Sequence, residues 1–165
     1  VHSPRSGVGV GAERVKFVNT VSIQAPRQAV WDYLSDFPQA AGCLPGVEES
    51  VKPLDGGGYE GTMKIRIGPI GLSLSGTVSL EMDESEGRWS MKAQARDRRV
   101  GAGLSATIEA ALSESTPETS ELVVSADVQF MGRLGGLGQP LIKRKANSTI
   151  EEFAQNLGHA VSQRE

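Results

Sequence analysis

Few side chains in this sequence are suited to chemistry: there is one cysteine, Cys43, and there are two histidines, His2 and His159. A catalytic thiol needs a base within hydrogen-bond reach and a further group to orient that base. Cys43 and His159 are the one available pair, and no orienting group is evident. Cys43 reads better as a small buried apolar residue. One thiol and two distant imidazoles also give no metal-ligand spacing. The carboxylates Asp32/Asp36 and Glu151/Glu152 read as solvated helix faces. "GAGLSA" at 101–106 fits the form G-x-G-x-x-A, but "QARDRRV" before it is not the buried parallel strand a dinucleotide site requires. "GVGVGA" at 7–12 lacks a preceding strand as well. These glycines read as a turn and a close strand approach.

Composition bounds the remaining classes. The chain has 165 residues, 38% hydrophobic and 22% charged, which fits one globular domain with a sizeable core. With 17 Lys and Arg against 20 Asp and Glu, the net charge is −3, so no strong field draws in nucleic acid. No apolar run approaches the roughly 20 residues that cross a bilayer, and "VHSPRSGVGVGAER" lacks a signal-peptide core. A lone cysteine fits a reducing cytoplasm. Residues 1–13 read as a disordered arm or a cloning remnant, and 14–163 as a single folded domain.

Periodicity then supplies the elements. "RVKFVNTVSIQ" alternates, with Val15, Phe17, Val21 and Ile23 on one face, as in a half-buried strand. "APRQAVWDYLSDF" predicts a short helix with Pro26 at its start and Val30, Trp31, Leu34 and Phe37 on its packed side. Cys43-Leu44-Pro45-Gly46 ends the helical pattern, since Pro45 has no N–H and Gly46 admits positive φ. That turn reads either as a connector or as part of a lid. Six further strands follow from "VEESVKPL" to "SELVVSADVQFM", with turn signals at Asp55-Gly56-Gly57, Gly68-Pro69, Glu86-Gly87 and Thr116-Pro117. The last segment predicts a helix of about 20–25 residues, in which Leu141, Ile142, Lys145, Ile150, Phe153, Leu157 and Val161 share one broad face. Pro140 leaves the start of that helix undetermined.

The strand residues that face the helix carry the most information. They read as Met63, Ile65 and Ile67; Leu72, Leu74, Gly76, Val78 and Leu80; Trp89, Met91, Ala93 and Ala95; Leu104, Ala106, Ile108, Ala110 and Leu112; and Leu122, Val124, Ala126, Val128 and Phe130. Bulk lies toward the strand ends, and small residues lie in the middle. Either the helix approaches closely over the small residues and the core is solid, or the helix stands off and the middle is an apolar cavity.

The order strand, helix, short helix, six strands, long helix resembles the helix-grip architecture of START-like (SRPBCC) and birch-pollen-allergen-like proteins. This is an α+β fold in which a curved antiparallel seven-stranded sheet grips a C-terminal helix around an apolar cavity. "APRQAVWDYLSDF" at 25–37, "CLPGVE" at 43–48, "YEGTMKIRIGPI" at 59–70, Gly76 and "GRLGGLGQPLI" at 132–142 are similar to the CoxG family, the G subunits of carbon monoxide dehydrogenase, and the likeness covers about residues 14–160. The resemblance implies a non-catalytic protein that binds a quinone (menaquinone or ubiquinone) or another lipid, with no intrinsic cofactor. It implies a molybdenum hydroxylase-type carbon monoxide dehydrogenase as partner and no nucleic acid. It also implies a cytoplasmic location, peripheral at the inner membrane face through a C-terminal tail that is not in this sequence.

On the helix-grip reading, the ligand-binding residues are expected to be Trp31, Leu44, Pro45, Met63, Ile65, Leu74, Val78, Met91, Ala93, Ala95, Ala106, Ile108, Ala110, Val124, Ala126, Leu141, Ile150, Phe153 and Leu157. The basic run Lys143, Arg144, Lys145 is the expected membrane or partner contact, and Arg96, Arg98 and Arg99 read as solvated surface. The competing reading is a START-like carrier or a polyketide-cyclase-like enzyme. Polar residues on the inward strand positions would favour an enzyme, and the inward positions hold almost none.

Overall fold

A computed structural model describes residues 13–164. The arm expected at the N-terminus lies outside the described residues apart from Glu13, which opens the first strand. Strand β1 (Glu13–Ile23) leads to helices α1 (Arg27–Leu34) and α2 (Phe37–Ala41), and these are followed by β2 (Val47–Pro53), β3 (Tyr59–Ile67), β4 (Ile70–Asp83), β5 (Arg88–Asp97), β6 (Ala102–Thr116) and β7 (Thr119–Gly132). A single 3-10 turn, Arg133–Gly136, precedes α3 (Gln139–Arg164). The strands form one seven-stranded sheet in the order β1-β7-β6-β5-β4-β3-β2. Every neighbouring pair is antiparallel.

The local chemistry explains the joints. Pro26 has φ −63° and ψ 148° and caps α1, so the missing N–H falls where a helix leaves its donors unpaired. The Asp36 carboxylate accepts the Gln39 N–H and starts α2. β1 re-enters the sheet beside β7 in unbroken register from Glu13↔Phe130 to Ile23↔Ser120. This places α1, α2 and their turn at one end of the curl. β2 is the far edge strand, and its pairing with β3 shifts between Glu48 and Lys52. "GAGLSA" spans a turn and the start of an antiparallel strand, with no helix after it.

Pro140 lies in the first turn of α3, where a helix has no use for its N–H, so the helix begins before the proline. At 26 residues it slightly exceeds the expected length.

The interior divides into two apolar clusters. One gathers Trp31, Tyr33, Trp89, Leu112, Leu122, Leu157 and Val161 around α1 and the C-terminal half of α3. The other gathers Val15, Ile67, Leu72, Phe130, Leu134 and Ile142 around the start of α3. Residues such as Ala93, Ala95, Ile108 and Ala110 border the clusters but are only half-buried, although they lie mid-strand on inward positions. The middle of the domain is therefore incompletely filled.

Candidate functional site

The space between the two clusters is a cavity of about 470 Å³, a size ordinary for small-molecule sites. Its strand walls are the small and aliphatic inward residues, among them Gly76, Ala93, Ala95, Ala106, Ala110 and Ala126. α3 does not descend to fill the space because it is held to β1. Asn19 Nδ2 donates to Asn147 Oδ1 at 3.1 Å, and Gln139 Nε2 donates to the Arg14 carbonyl at 3.2 Å. Further along, Gly158 brings the helix against the Gln24 backbone, where an added Cβ would sit 3.4 Å from its nitrogen. Toward β3 the helix makes far less contact, with Leu141 lying against Gly68. A seam is left between α3 and β3.

α2 and the turn after it cover the end of this seam. Phe37 stacks on Tyr59 with ring centroids 4.9 Å apart, and Asn156 Nδ2 donates to the Cys43 carbonyl at 2.9 Å, tying the turn to α3. Gly46 has φ 92°, its carbonyl accepts the Lys64 N–H at 2.7 Å, and a Cβ there would collide with the Lys64 carbonyl. The Leu-Pro-Gly turn is thus seated on β3 by backbone contact, with Leu44 on the cavity wall.

Fifteen of the residues expected to bind ligand lie on this wall: Leu44, Met63, Ile65, Leu74, Val78, Met91, Ala93, Ala95, Ala106, Ile108, Ala110, Val124, Ala126, Ile150 and Phe153. Four others do not. Trp31 is packed behind Trp89, ring centroids 4.3 Å apart, so Trp89 faces the cavity in its place. Leu157 is fully buried in the cluster next to α1. Leu141 packs on the other cluster. Pro45 sits in the turn, outside the wall. The basic run is split by the helical period: Arg144 is exposed and Lys143 half-buried, whereas Lys145 lines the cavity. Phe37, Val51, Tyr59 and Thr149 also line the cavity, outside the set expected from sequence. The four-residue step beyond Lys145 is a signal that could have found Thr149, whereas Phe37 and Tyr59 meet only through the tertiary fold.

The groups that could do chemistry are elsewhere or subdued. Cys43 is buried, and burial pushes its thiol above the usual range while a hydrogen bond with Tyr33 pulls it back. His159 is exposed. Among the described residues, no group of three or more His, Cys, Asp or Glu side chains is placed to hold a metal. Trp89 Nε1 is buried without a hydrogen-bond partner among the described residues.

Asp97 is the most strongly perturbed carboxylate. It accepts hydrogen bonds from the Ser73 N–H at 2.8 Å, the Arg99 N–H at 3.0 Å and Arg99 Nη2 at 2.7 Å. The Arg99 guanidinium first, then the Ser73 amide, hold it down to about 2. It pins the end of β5 to β4 outside the cavity. Arg99 also borders a shallow outer groove with Lys64 and Arg66.

No helix among the described residues is long and apolar enough to cross a membrane. A search of curated proteins found no match. Among solved structures, a conserved protein from Geobacillus kaustophilus aligns with TM-score 0.80 at 14% identity, covering 90% of this chain and 95% of that one. The Zhui aromatase/cyclase from a Streptomyces species aligns with TM-score 0.64 at 16% identity, covering 92% and 96%. A START superfamily protein from Mycobacterium smegmatis aligns with TM-score 0.62 at 15% identity, covering 91% and 99%. At these identities the likeness is one of fold, and that fold is START-like. The family model for the carbon monoxide dehydrogenase G subunit (CoxG) matches residues 20–162, nearly the whole described domain, and the chain belongs to that family.

Proposed function

We propose that this chain is a non-catalytic binding protein that takes a hydrophobic molecule, a quinone or another lipid, into its cavity. It serves a molybdenum-containing carbon monoxide dehydrogenase-type enzyme at the inner face of the cytoplasmic membrane, so that electrons reach the quinone pool. The observation that carries this reading is the cavity of about 470 Å³ with almost wholly apolar inward walls, which suits a molecule that leaves lipid for an environment of similar polarity. Membership of the CoxG family supports the choice of partner. A bound menaquinone or ubiquinone would supply the two-electron acceptor. The chain's own residues would bind it and shield it from water.

The Zhui aromatase/cyclase indicates that a related fold can serve catalysis. Among the described residues, the present cavity has no histidine on its wall, and its one wall carboxylate, Glu60, belongs to the outward alternation of β3 and is exposed. That distribution supports binding over acid–base catalysis. Exposed Arg144 with half-buried Lys143 supports a weak, salt-screened approach to anionic headgroups, at about 1 kcal/mol per basic residue.

Incubation with a bacterial lipid extract, repurification and mass spectrometry of the bound material tests the reading. A quinone or other lipid recovered at about one per chain is expected. Recovery of no lipophile, or turnover of a polyketide-type substrate, would contradict it.

A further inference from the structure

The polar groups of the cavity are unevenly placed. Thr62, Thr77 and Gln94 border it with Glu60, but all four belong to the outward alternation of their strands. The Thr62 and Ser75 hydroxyls, for example, meet at 3.0 Å on the exposed face. On the inward faces the polar side chains among the described residues of the wall are Tyr59, Lys145 and Thr149, from β3 and α3, the two sides of the seam, and Trp89 of β5, whose Nε1 is buried behind the wall. Lys145 occupies a helical stripe with Leu141 before it and Thr149 and Phe153 after it, so its stem lies among apolar neighbours.

The ion pairs of the described residues are Arg14–Asp127, Lys64–Glu48 and Arg99–Asp97, and none involves Lys145. The Thr149 hydroxyl donates to the Lys145 carbonyl at 2.8 Å, which leaves its lone pairs, not its proton, to a neighbour. Lys145 is half-buried and lines the apolar wall without an ion-pair partner among the described residues. A hydrogen-bond acceptor arriving with a ligand would give its ammonium a partner.

We propose that the molecule held in the cavity is amphipathic: an oxygen head, carboxylate or carbonyl, accepts a hydrogen bond from Lys145 Nζ at the seam, and an apolar body lies between the two clusters. This rests on the reading of the cavity as a lipophile site and adds the head group that the lipophile carries. It assigns Lys145 to the ligand and leaves Lys143 and Arg144 as the surface cations of that run.

Matched probes separate the head from the body. Menadione and methylnaphthalene share a two-ring shape and differ in the carbonyls; dodecanoate and dodecane share a chain and differ in the carboxylate. Each is titrated against the neutral dye N-phenyl-naphthylamine bound to the full chain, to Lys145→Met and to Lys145→Arg, with folding checked by thermal melting. Lys145→Met is expected to weaken menadione, dodecanoate or both by about tenfold or more, the worth of a charge-assisted hydrogen bond. Methylnaphthalene and dodecane should stay within about twofold, and Lys145→Arg should keep the discrimination. Loss confined to menadione identifies a carbonyl head, and loss confined to dodecanoate identifies an acid. Equal change across all four probes, or no change, in a folded variant overturns the assignment of Lys145 and leaves the cavity reading intact. Failure of all four to displace the dye from the unaltered chain overturns both.

Discussion

The two long sides of α3 are built differently. Along β1 the helix is fastened by Asn147, by Gln139 and by the close approach at Gly158, and it meets that strand far more extensively than it meets β3. Along β3 it leaves a seam bordered by half-buried Lys145, Thr149, Tyr59 and Met63. One helix therefore serves two ends: its fastened side fixes the height at which it crosses the sheet, and that height keeps the cavity open on the other side. Stability and binding should respond to different residues.

The largest effect is expected on the filled side. Leu157→Ala removes a fully buried side chain from a packed cluster and should cost about 2–5 kcal/mol in chemical unfolding, with little direct effect on dye affinity. Ile150→Ala, on the cavity wall, should cost less in stability and more in affinity. Equal stability losses at the two positions would erase the distinction between packed cluster and open middle.

Gly46→Ala comes next. It places a side chain at φ 92° and against the Lys64 carbonyl, so it should cost about 1–3 kcal/mol and raise the dye's off-rate as the turn lifts from β3. An unchanged melting temperature would mean the turn is not seated as described.

Asp97 probes the sheet away from the seam. Its carboxyl is held down to about 2 in the folded protein, below the ordinary unfolded value near 3.9. Its contribution is therefore complete above about pH 4 and is lost as the pH falls toward about 2. Asp97→Asn should lower the melting temperature at pH 7, and the gap from the unaltered protein should close across that acid window while dye affinity at pH 7 stays the same. A gap that persists unchanged at pH 2 would assign the effect to something other than the charge.

The smallest stability effect is expected at Ala110, which lines the cavity. Ala110→Phe should change stability by less than about 1 kcal/mol, whereas the same bulk in a filled core would cost about 1–3 kcal/mol.

Much of this is legible in sequence because period and volume are local properties. The alternation through Met91, Ala93 and Ala95, or through Ala106, Ile108 and Ala110, fixes which side chains face inward, and their sizes place the shortage of bulk in mid-strand. The choice between a solid core and a cavity is not legible, because it depends on how high α3 rides, and that is set by Asn19, Asn147 and Gly158 acting across the fold. Trp31 reads as a wall residue because helical spacing shows that a side chain is buried without showing what stands in front of it. Trp89 stands there. Lys145 belongs both to a basic run and to the apolar face of its helix; the sequence admits both descriptions, and the fold turns the side chain to the cavity.

The central claim is that the space between the two clusters receives an apolar molecule. Titration with N-phenyl-naphthylamine, comparing the unaltered chain with an Ala106→Leu/Ala110→Phe variant that melts as a folded protein, tests it most directly. The account predicts saturable blue-shifted emission at about one dye per chain in the unaltered protein and its loss in the filled variant. The same saturable emission in both proteins would place the bound dye outside the cavity and contradict the account.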